Sequence, residues 1–375
     1  MANTLGAYNP TFFANEALIW LQKALGMAGR VHRGYDKTPT QKGETITIRR
    51  PATFTAVDAP QSAVDLTTES VSITVDKWKE VKYALTDKEM SFTQEQIVQE
   101  HIMPAAYAIA DAIDQDLALL YKYIPWYTDV TSTAVPADIT AARKILFDNR
   151  VPMRDLHMMI DSDMEADFLG NSAFSQWQGA GQSGANTQMT GSLGEKYGFE
   201  IFANQNVQSH TKGTASTGTL AVNGALSAGA TTVALDAGSV TGTLVAGDTL
   251  VFAGHTQRYS VTATATASGN AFASVSIFPA LQVAVADNVV VTVSLDDHSA
   301  ALGFHRGAFA LAMAPLSEFG NGRGAEIATV IDPVTGLALR SRLFYDGNTS
   351  KNYISVDALY GVKTLNPNLA VRLRN

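Results

Sequence analysis

The sequence contains no cysteine among its 375 residues. Disulfide bonds, zinc–thiolate sites and a cysteine nucleophile are therefore excluded. Charge is also scarce, because 17% of the residues are charged, whereas a typical soluble domain carries about 25%. A surface poor in charge fits a subunit that is covered by copies of itself. It fits equally well a Gly-, Ala- and Thr-rich β-protein that is polar without being charged.

Basic clusters and long apolar runs are missing as well. The net charge is −8 and the isoelectric point about 5.4, and the longest basic groups are Arg49-Arg50 and the pair Arg340 and Arg342. This argues against a dedicated nucleic-acid binder, although an acidic lining suits a container that must release a genome. No apolar run reaches the roughly 18 residues of a membrane span. Residues 1–4 lack the charged and apolar regions of a secretory signal, so none is expected.

The first ninety residues predict a helix followed by a long hairpin. Helical spacing of apolar residues covers Pro10 to Leu25, and this helix packs on its own domain or forms an arm that docks on a neighbour. Strict alternation over Gly43–Pro51 and again over Val71–Val75 predicts two strands. Between them, Ala52–Ser70 is polar and without helical period. A loop of this length is uncommon inside a compact domain, so we expect its tip to reach another molecule.

A long helix is predicted from Phe92 to Lys122, with Pro104 marking a kink or its true first turn. One apolar stripe runs along it, formed by Ile102, Ala106, Ile109, Ala110, Ile113, Leu117 and Leu120. Asp111 and Asp114 lie mostly off this stripe. An exposed helix face explains these carboxylates better than a metal site does.

Helical and strand patterns then alternate between Asp138 and Phe202. The predicted elements are a helix over Ile139–Asn149, a strand over Leu156–Ile160, a helix over Asp163–Leu169, a polar glycine-rich loop over Asn171–Gly191 and a strand over Tyr197–Phe202.

A shift in composition marks the next segment. From about Thr214 to Ser294 the only charged residues are Asp236, Asp248, Arg258 and Asp287. Short alternating strands are predicted at Thr232–Leu235, Thr249–Phe252, Tyr259–Thr262, Ala273–Ile277 and Asn288–Val293. This pattern predicts a small all-β barrel or sandwich inserted into a domain that resumes afterward. Beyond it, hairpins are expected from Ala328 to Phe344, and from there through a turn at Tyr345–Asn348 to a strand at Tyr353–Val362.

No residue pattern predicts chemistry. Gly179–Gly184 matches G-x-G-x-x-G, but neither a strand before it nor a helix after it is expected, so we interpret it as a glycine loop. Asp161, Ser162 and Asp163 favour helix capping over a calcium loop. The seven histidines show no H-x-x-x-H pair with a glutamate, and no G-x-S-x-G elbow accompanies them. We therefore assign no catalytic, cofactor-binding or metal residue, and expect a protein that is not an enzyme.

The order of these pieces resembles the major capsid proteins of tailed bacteriophages, which share the Hong Kong 97-type fold. It is most similar to the gene-five coat proteins of short-tailed phages, which carry an inserted β-barrel domain. The resemblance spans nearly the whole chain and rests on Phe13–Leu18, Arg30–Tyr35, Lys42–Pro51, Asn149–Pro152, Asp161–Asp163, Thr190–Ile201, Leu359–Lys363 and Leu369–Arg372. It implies an α+β chain divided into an N-terminal arm (1–42), an extended hairpin loop with flanking strands (43–90), a spine helix and peripheral domain (91–136), an axial domain (137–212), an inserted β-barrel domain (213–296) and a return of the axial and peripheral domains (297–375).

The resemblance also implies a function. Such a chain self-assembles into hexamers and pentamers of an icosahedral virion shell, built in the host cytoplasm around double-stranded DNA that it does not read by sequence. The expected partners are a separate scaffolding protein, a portal protein and, in some shells, a decoration protein; no membrane is involved. Three alternatives stay open: an encapsulin-like compartment shell, a secreted β-rich adhesin and an enzyme.

Overall fold

The computed structural model describes residues 10–33, 45–49, 59, 70–86, 98–130, 133–176, 181–318, 324–332, 336–349 and 351–375. The chain divides into two compact units. The first comprises Met1–Ile113 and Ala310–Leu365, and the second comprises Asp114–Phe309 and Asn366–Asn375. Both mix helices with strands, and strands dominate. No helix in the described ranges is long and apolar enough to cross a membrane.

The α-helices of the described ranges are α1 (Pro10–Ala24), α2 (Met103–Ala118), α3 (Pro136–Asp148), α4 (Ser162–Gly170), α5 (Ser172–Ser175) and α6 (Gln182–Thr190). A π-helical turn at Val98–Ile102 precedes α2, and a 3-10 turn at Leu119–Tyr123 follows it.

The strands up to the end of the barrel are β1 (Thr45–Arg49), β2 (Ser70–Thr74), β3 (Lys77–Thr86), β4 (Tyr127–Asp129), β5 (Leu156–Ile160), β6 (Gly194–Lys196), β7 (Phe199–Ala203), β8 (Gln208–His210), β9 (Ser216–Thr217), β10 (Leu220–Val222), β11 (Thr232–Asp236), β12 (Val240–Thr241), β13 (Thr243–Leu244), β14 (Thr249–Phe252), β15 (Arg258–Val261), β16 (Ala265–Thr266), β17 (Ala271–Phe278) and β18 (Val290–Ser294). The later strands are β19 (His298–His305), β20 (Phe309–Ala314), β21 (Glu326–Ile331), β22 (Ala338–Asp346), β23 (Lys351–Thr364) and β24 (Ala370–Arg374).

Helix α2 carries the apolar stripe that the sequence predicts. All seven stripe residues are buried, and Pro104 is the second residue of α2, directly after the π-helical turn at Val98–Ile102. The predicted start at Phe92 lies outside the described residues. Asp114 departs from the expected exposed face, because it is 4% exposed and accepts a hydrogen bond from Asn204 Nδ2 at 3.5 Å. Its burial follows from packing against a segment ninety residues away, which helical periodicity cannot reveal.

Helix α1 packs on its own unit. Phe13, Ala17 and Leu21 are fully buried, and the helix lies against β21 and β22. Of the two interpretations of this helix, packing on its own domain is therefore confirmed.

The first unit contains a five-stranded sheet in the order β20-β23-β22-β21, with β3 also paired to β23. The hairpins predicted in the C-terminal part are present, because β21 pairs with β22 and β22 with β23, both antiparallel. β20 is an additional strand that the sequence interpretation omits. Its six residues are all buried, so it shows no alternation of polar and apolar residues.

The second unit contains a mixed sheet in the order β4-β24-β19-β5-β7-β6, with β8 on β19. The strand at Leu156–Ile160 is confirmed at its predicted bounds. The segment predicted as one strand over Tyr197–Phe202 begins with a turn, because Tyr197 and Gly198 take positive φ and connect β6 to β7. The segment predicted as a loop over Asn171–Gly191 contains α5 and α6, so that prediction is wrong for its described residues.

Within residues 220–294, six strands close a barrel in the order β10-β11-β17-β15-β14-β18. The alternation of apolar and polar residues along these strands explains why a closed barrel forms. Its core contains the fully buried side chains of Leu250 and Phe252 on β14, Tyr259 on β15 and Phe272 on β17. The five predicted strands are all present, one at its predicted bounds and four with shifts of one or two residues at their ends. β10, with three residues, was missed because it is too short for a periodic pattern.

The barrel is connected to the mixed sheet through two neighbouring strands. The chain leaves the sheet at β8 and returns at β19, and these strands pair antiparallel with His210 opposite His298. The two ends of the barrel segment are therefore held side by side.

Candidate functional site

The first candidate surface is the hairpin of β1 and β2. The two strands pair in register from Thr45↔Thr74 to Arg49↔Ser70. Twenty residues, 50–69, separate the paired Arg49 and Ser70. The predicted tip, Ala52–Ser70, lies outside the described residues except for Ala59 and Ser70, so the structure places only the base of the hairpin.

The base of the hairpin is fixed by apolar contacts within the first unit. Ile73 and Val75 are fully buried in a cluster with Ala310, Ala312 and Leu359. Gly361 permits this approach, because a Cβ built on it would lie 2.2 Å from the carbonyl oxygen of Thr74. The base of the hairpin is therefore packed against the buried core of the first unit.

A charged network lies on the same sheet. Asp357 is fully buried, and it accepts hydrogen bonds from Arg340 Nε at 3.1 Å, Arg340 Nη2 at 2.6 Å and Trp78 Nε1 at 2.9 Å. Arg342 extends the network to Glu80 at 2.5 Å near the surface. Paired charges of this kind orient strands β3, β22 and β23, and they offer no free group for catalysis.

The second candidate surface is the junction between the barrel and the mixed sheet. Thr249 and Ser260 point outward from the barrel yet are 2% and 0% exposed. Ser260 Oγ donates to the carbonyl oxygen of Lys122. The guanidinium of Arg258 lies 4.4 Å from the ring centroid of Tyr127 and donates to its carbonyl oxygen at 3.1 Å. The barrel thus docks through polar groups that are removed from water.

A hydrogen-bonded chain runs through this junction. His210 Nε2 lies 3.1 Å from Asp248 Oδ1, and its Nδ1 lies 3.2 Å from Tyr121 Oη. The carboxylate accepts from Nε2, so Nδ1 accepts from the Tyr121 hydroxyl when the imidazole is neutral. The other oxygen of Asp248 accepts from the amide of Val245 at 2.7 Å. An Asp–His–Tyr order resembles a catalytic relay, but each member is buried and bonded within the chain.

Two arginines of β24 enter the same junction. Arg372 is 1% exposed and donates from Nη1 to the carbonyl oxygen of Gly247 at 2.8 Å, while its Nε has no hydrogen-bond partner. Burial lowers the pKa of Arg372 to about 10, and the like charge of Arg374 adds to this effect. Arg374 binds Asp129 and, at 2.7 Å, Ser294 Oγ of the barrel.

His298 lies between these groups. Its ring centroid is 4.9 Å from that of His210, and its Nδ1 lies 2.7 Å from the carbonyl oxygen of Asp296. Burial lowers the pKa of His298 to about 4, opposed by the Asp296 carbonyl oxygen and assisted by Arg372, His210 and Arg374. The seven histidines, His298 among them, were considered in the sequence only as candidates for metal and catalytic motifs, and the junction was missed. The alternation Val371-Arg372-Leu373-Arg374 was its one available signal.

The glycine motif does not form a nucleotide site in the described residues. Gly181 has φ +58° and immediately precedes α6, so the expectation that no helix follows the motif is wrong. The segment before it holds the short helix α5 instead of a strand. Residues 177–180, which include the first glycine, lie outside the described ranges. A dinucleotide site requires the strand as well as the helix.

The acidic group at Asp161–Asp163 has the capping role that the sequence favours. Asp161 Oδ1 accepts from the amide of Met164 at 2.9 Å and caps α4. Asp161, Asp163 and Glu165 line an open cleft of about 690 Å³ together with Asn204 and Ser209. No group of three or more His, Asp or Glu side chains that could hold a metal ion occurs among the described residues.

Comparison with known proteins finds similarity to solved structures. No family model matches the chain, and no curated protein matches it. The solved structures it is similar to include phage capsids. A structure of Mycobacterium phage Che8 is 14% identical over 93% of this chain and 90% of that one, with a TM-score of 0.49. The capsid of cyanophage P-SCSP1u is 10% identical over 90% and 84%, with a TM-score of 0.45. The mature capsid of bacteriophage PhiM1 is 11% identical over 89% and 82%, with a TM-score of 0.42.

Proposed function

We propose that this chain is the major coat protein of a tailed bacteriophage and that it self-assembles into an icosahedral shell around double-stranded DNA. The hairpin of β1 and β2 carries the proposal. Its base is packed on the first unit, and twenty residues of sequence connect the two members of the last pair, Arg49↔Ser70. A segment of that length serves function more often than packing, and a neighbouring copy of the chain is its proposed partner.

The remaining pieces fit the same proposal in the Hong Kong 97-type arrangement. The helix that contains α2 is the spine of a peripheral domain (91–136), and the mixed sheet belongs to an axial domain (137–212 and part of 297–375). The barrel is the inserted domain (213–296). Residues 1–42 correspond to the arm segment, of which helix α1 packs on its own unit. Each contact between subunits is weak enough to correct errors, and extended arms supply the shared area that stabilises the finished shell.

The proposed partners follow from assembly. Hexamers and pentamers of this chain form the shell in the host cytoplasm, with a separate scaffolding protein inside and a portal protein at one vertex. A decoration protein is a further candidate partner. DNA is enclosed without sequence-specific contact, since the chain carries a net charge of −8 and its longest basic runs are short.

Electron microscopy and sedimentation of the purified full chain test the proposal. Pentamers, hexamers or shells are expected, with or without a scaffolding partner. Stable monomers alone, even in the presence of the products of the neighbouring genes, would overturn it. Shells that enclose an enzyme and whose gene lacks portal and terminase neighbours would assign the chain to a compartment instead of a virus.

A sharper variant tests the hairpin itself. Replacing residues 50–69 with Asn-Gly closes the strands with a two-residue turn and keeps the pairing of Arg49 with Ser70. We expect a folded chain with an unchanged melting temperature that no longer assembles. Normal shells from this variant would remove the assigned role of the tip.

A further inference from the structure

His298 is held in one tautomer. Its Nδ1 faces the carbonyl oxygen of Asp296 at 2.7 Å, and a carbonyl oxygen only accepts, so Nδ1 carries the proton. Nε2 is then an acceptor when the ring is neutral. This atom is buried and has no hydrogen-bond partner. Adding a proton there would create a cation whose new N–H group meets no acceptor.

The surroundings of His298 oppose a second positive charge. The charged and titratable groups around His298 and His210 are Tyr121 of the 3-10 turn, Asp248 before β14, Asp296 after β18, and Arg372 and Arg374 of β24. Asp248 is already bonded to His210 and to the amide of Val245. Asp296 presents its carbonyl oxygen to His298 and its carboxylate to Arg374. Arg374 is offset by Asp129 and Asp296, whereas Arg372 donates to a carbonyl oxygen and forms no ion pair among the described residues. Arg372 therefore remains a like charge near the His298 ring.

The same groups fasten the barrel to the sheet. Arg372 donates to Gly247 and Arg374 donates to Ser294, and both acceptors belong to the barrel segment. His210 and His298 lie opposite each other on the two strands through which the chain leaves and re-enters the sheet. A positive charge on His298 therefore weakens the attachment of the barrel to the sheet before it destabilises the core of the barrel or the core beside the sheet.

We propose that this junction is a proton-operated latch, in which neutral His298 keeps the barrel docked on the mixed sheet and protonation of His298 releases it. The inference concerns the single chain and goes beyond the proposed coat function.

Burial lowers the pKa of His298 to about 4 in the docked state, whereas an exposed histidine titrates near 6.5. Protons therefore bind the undocked state preferentially, and docking weakens as the pH falls through this window. From pH 7 to pH 5 these two values imply an increase of about twentyfold in the undocked fraction.

Because the chain contains no cysteine, an introduced cysteine supplies the one thiol that a labelling reagent can modify. Ser260→Cys places a single thiol on the barrel surface that is buried against the 3-10 turn at Leu119–Tyr123, the turn that brings Tyr121 into the junction; Ser260 is 0% exposed there. Val275→Cys places a matched thiol inside the barrel core, where Val275 is 1% exposed. The full, unassembled chain is labelled with 4,4′-dithiodipyridine, which reacts at acidic pH, and rates are divided by those of a free thiol at the same pH.

The expected result is a labelling rate at Ser260→Cys that rises about twentyfold between pH 7 and pH 5, while Val275→Cys stays unlabelled. Adding His298→Asn, which keeps a donor for the Asp296 carbonyl oxygen but cannot titrate, removes the rise, and His255→Asn does not.

Equal rates at both pH values overturn the latch. So does a rise at Val275→Cys in step with Ser260→Cys, which denotes unfolding of the barrel. These two comparisons keep histidine at position 298, so they decide the question even if His298→Asn does not fold. All are made on unassembled chain, so they stand apart from any failure to form shells.

Discussion

Asp357 and Arg340 form a bidentate pair, with Nε to Oδ1 at 3.1 Å and Nη2 to Oδ2 at 2.6 Å, and the carboxylate is fully buried. The pair joins neighbouring strands of the sheet that carries the hairpin base. Such a pair need not stabilise the fold relative to apolar residues, but breaking it leaves a buried charge without its partner.

We therefore expect Asp357→Ala to lower the free energy of unfolding by about 3–5 kcal/mol. Glu80→Ala is the matched control, because Glu80 ends the same network near the surface, and its loss should cost at most about 1 kcal/mol. Urea denaturation followed by tryptophan fluorescence measures both. Similar losses for the two variants would show that burial does not govern this network.

A second prediction concerns Gly361. Gly361→Ala sets a Cβ 2.2 Å from the Thr74 carbonyl oxygen, and backbone must shift to admit it. Crowding of this kind costs about 1–3 kcal/mol. In Gly347→Ala the nearest atom to the new Cβ is 3.9 Å away, so we expect no measurable loss. Thermal unfolding of both variants checks this, and an unchanged melting temperature for Gly361→Ala would contradict the close approach.

Replacing Tyr83 and Tyr259 by phenylalanine should affect the stability of the chain differently. Tyr83 Oη is buried and has no hydrogen-bond partner in the described structure, and burial raises its pKa. Tyr83→Phe should therefore leave stability unchanged or raise it by up to about 1 kcal/mol. Tyr259 Oη accepts from the amide of Gln282 at 3.1 Å, so Tyr259→Phe should cost about 1–3 kcal/mol. Chemical denaturation decides, and a loss at Tyr83→Phe equal to that at Tyr259→Phe would refute the assignment.

The capping role of Asp161 is also measurable. Asp161→Ala removes the acceptor for the amide of Met164 and should cost about 1 kcal/mol. Asp163→Ala, at an exposed position in the same first turn, should cost less than half of that. Adding millimolar calcium or magnesium should leave the melting temperature of the unaltered chain unchanged. A clear rise with either ion would turn the acidic cleft into a cation site.

The sequence predicts elements that bury one face and expose the other. The β1–β2 hairpin, the stripe of α2 and the barrel strands all have such a face, and the structure has them within a few residues. The helices α5 and α6 were missed because they carry little apolar periodicity. Their caps were readable, since Asn171 Oδ1 accepts from the Ala173 amide and Gly191 takes φ +70° at the end of α6.

The junction was beyond prediction for a different reason. Arg372, His298 and Asp248 come from three distant parts of the chain, and no sequence pattern connects them. Burial of charged residues depends on what packs over them, and this appears only when the barrel and the mixed sheet are both in place. The alternation Val371-Arg372-Leu373-Arg374 in β24 gave no sign that its polar side would be covered.

The antiparallel pairing of β8 with β19 has one further consequence. Because His210 and His298 already face each other, the 87 residues between them form, geometrically, the loop of a hairpin. Their number is free to change without moving either strand. This position should therefore accept excision of the barrel, or its exchange for a foreign domain whose own ends lie close together, which makes it a natural graft point for display.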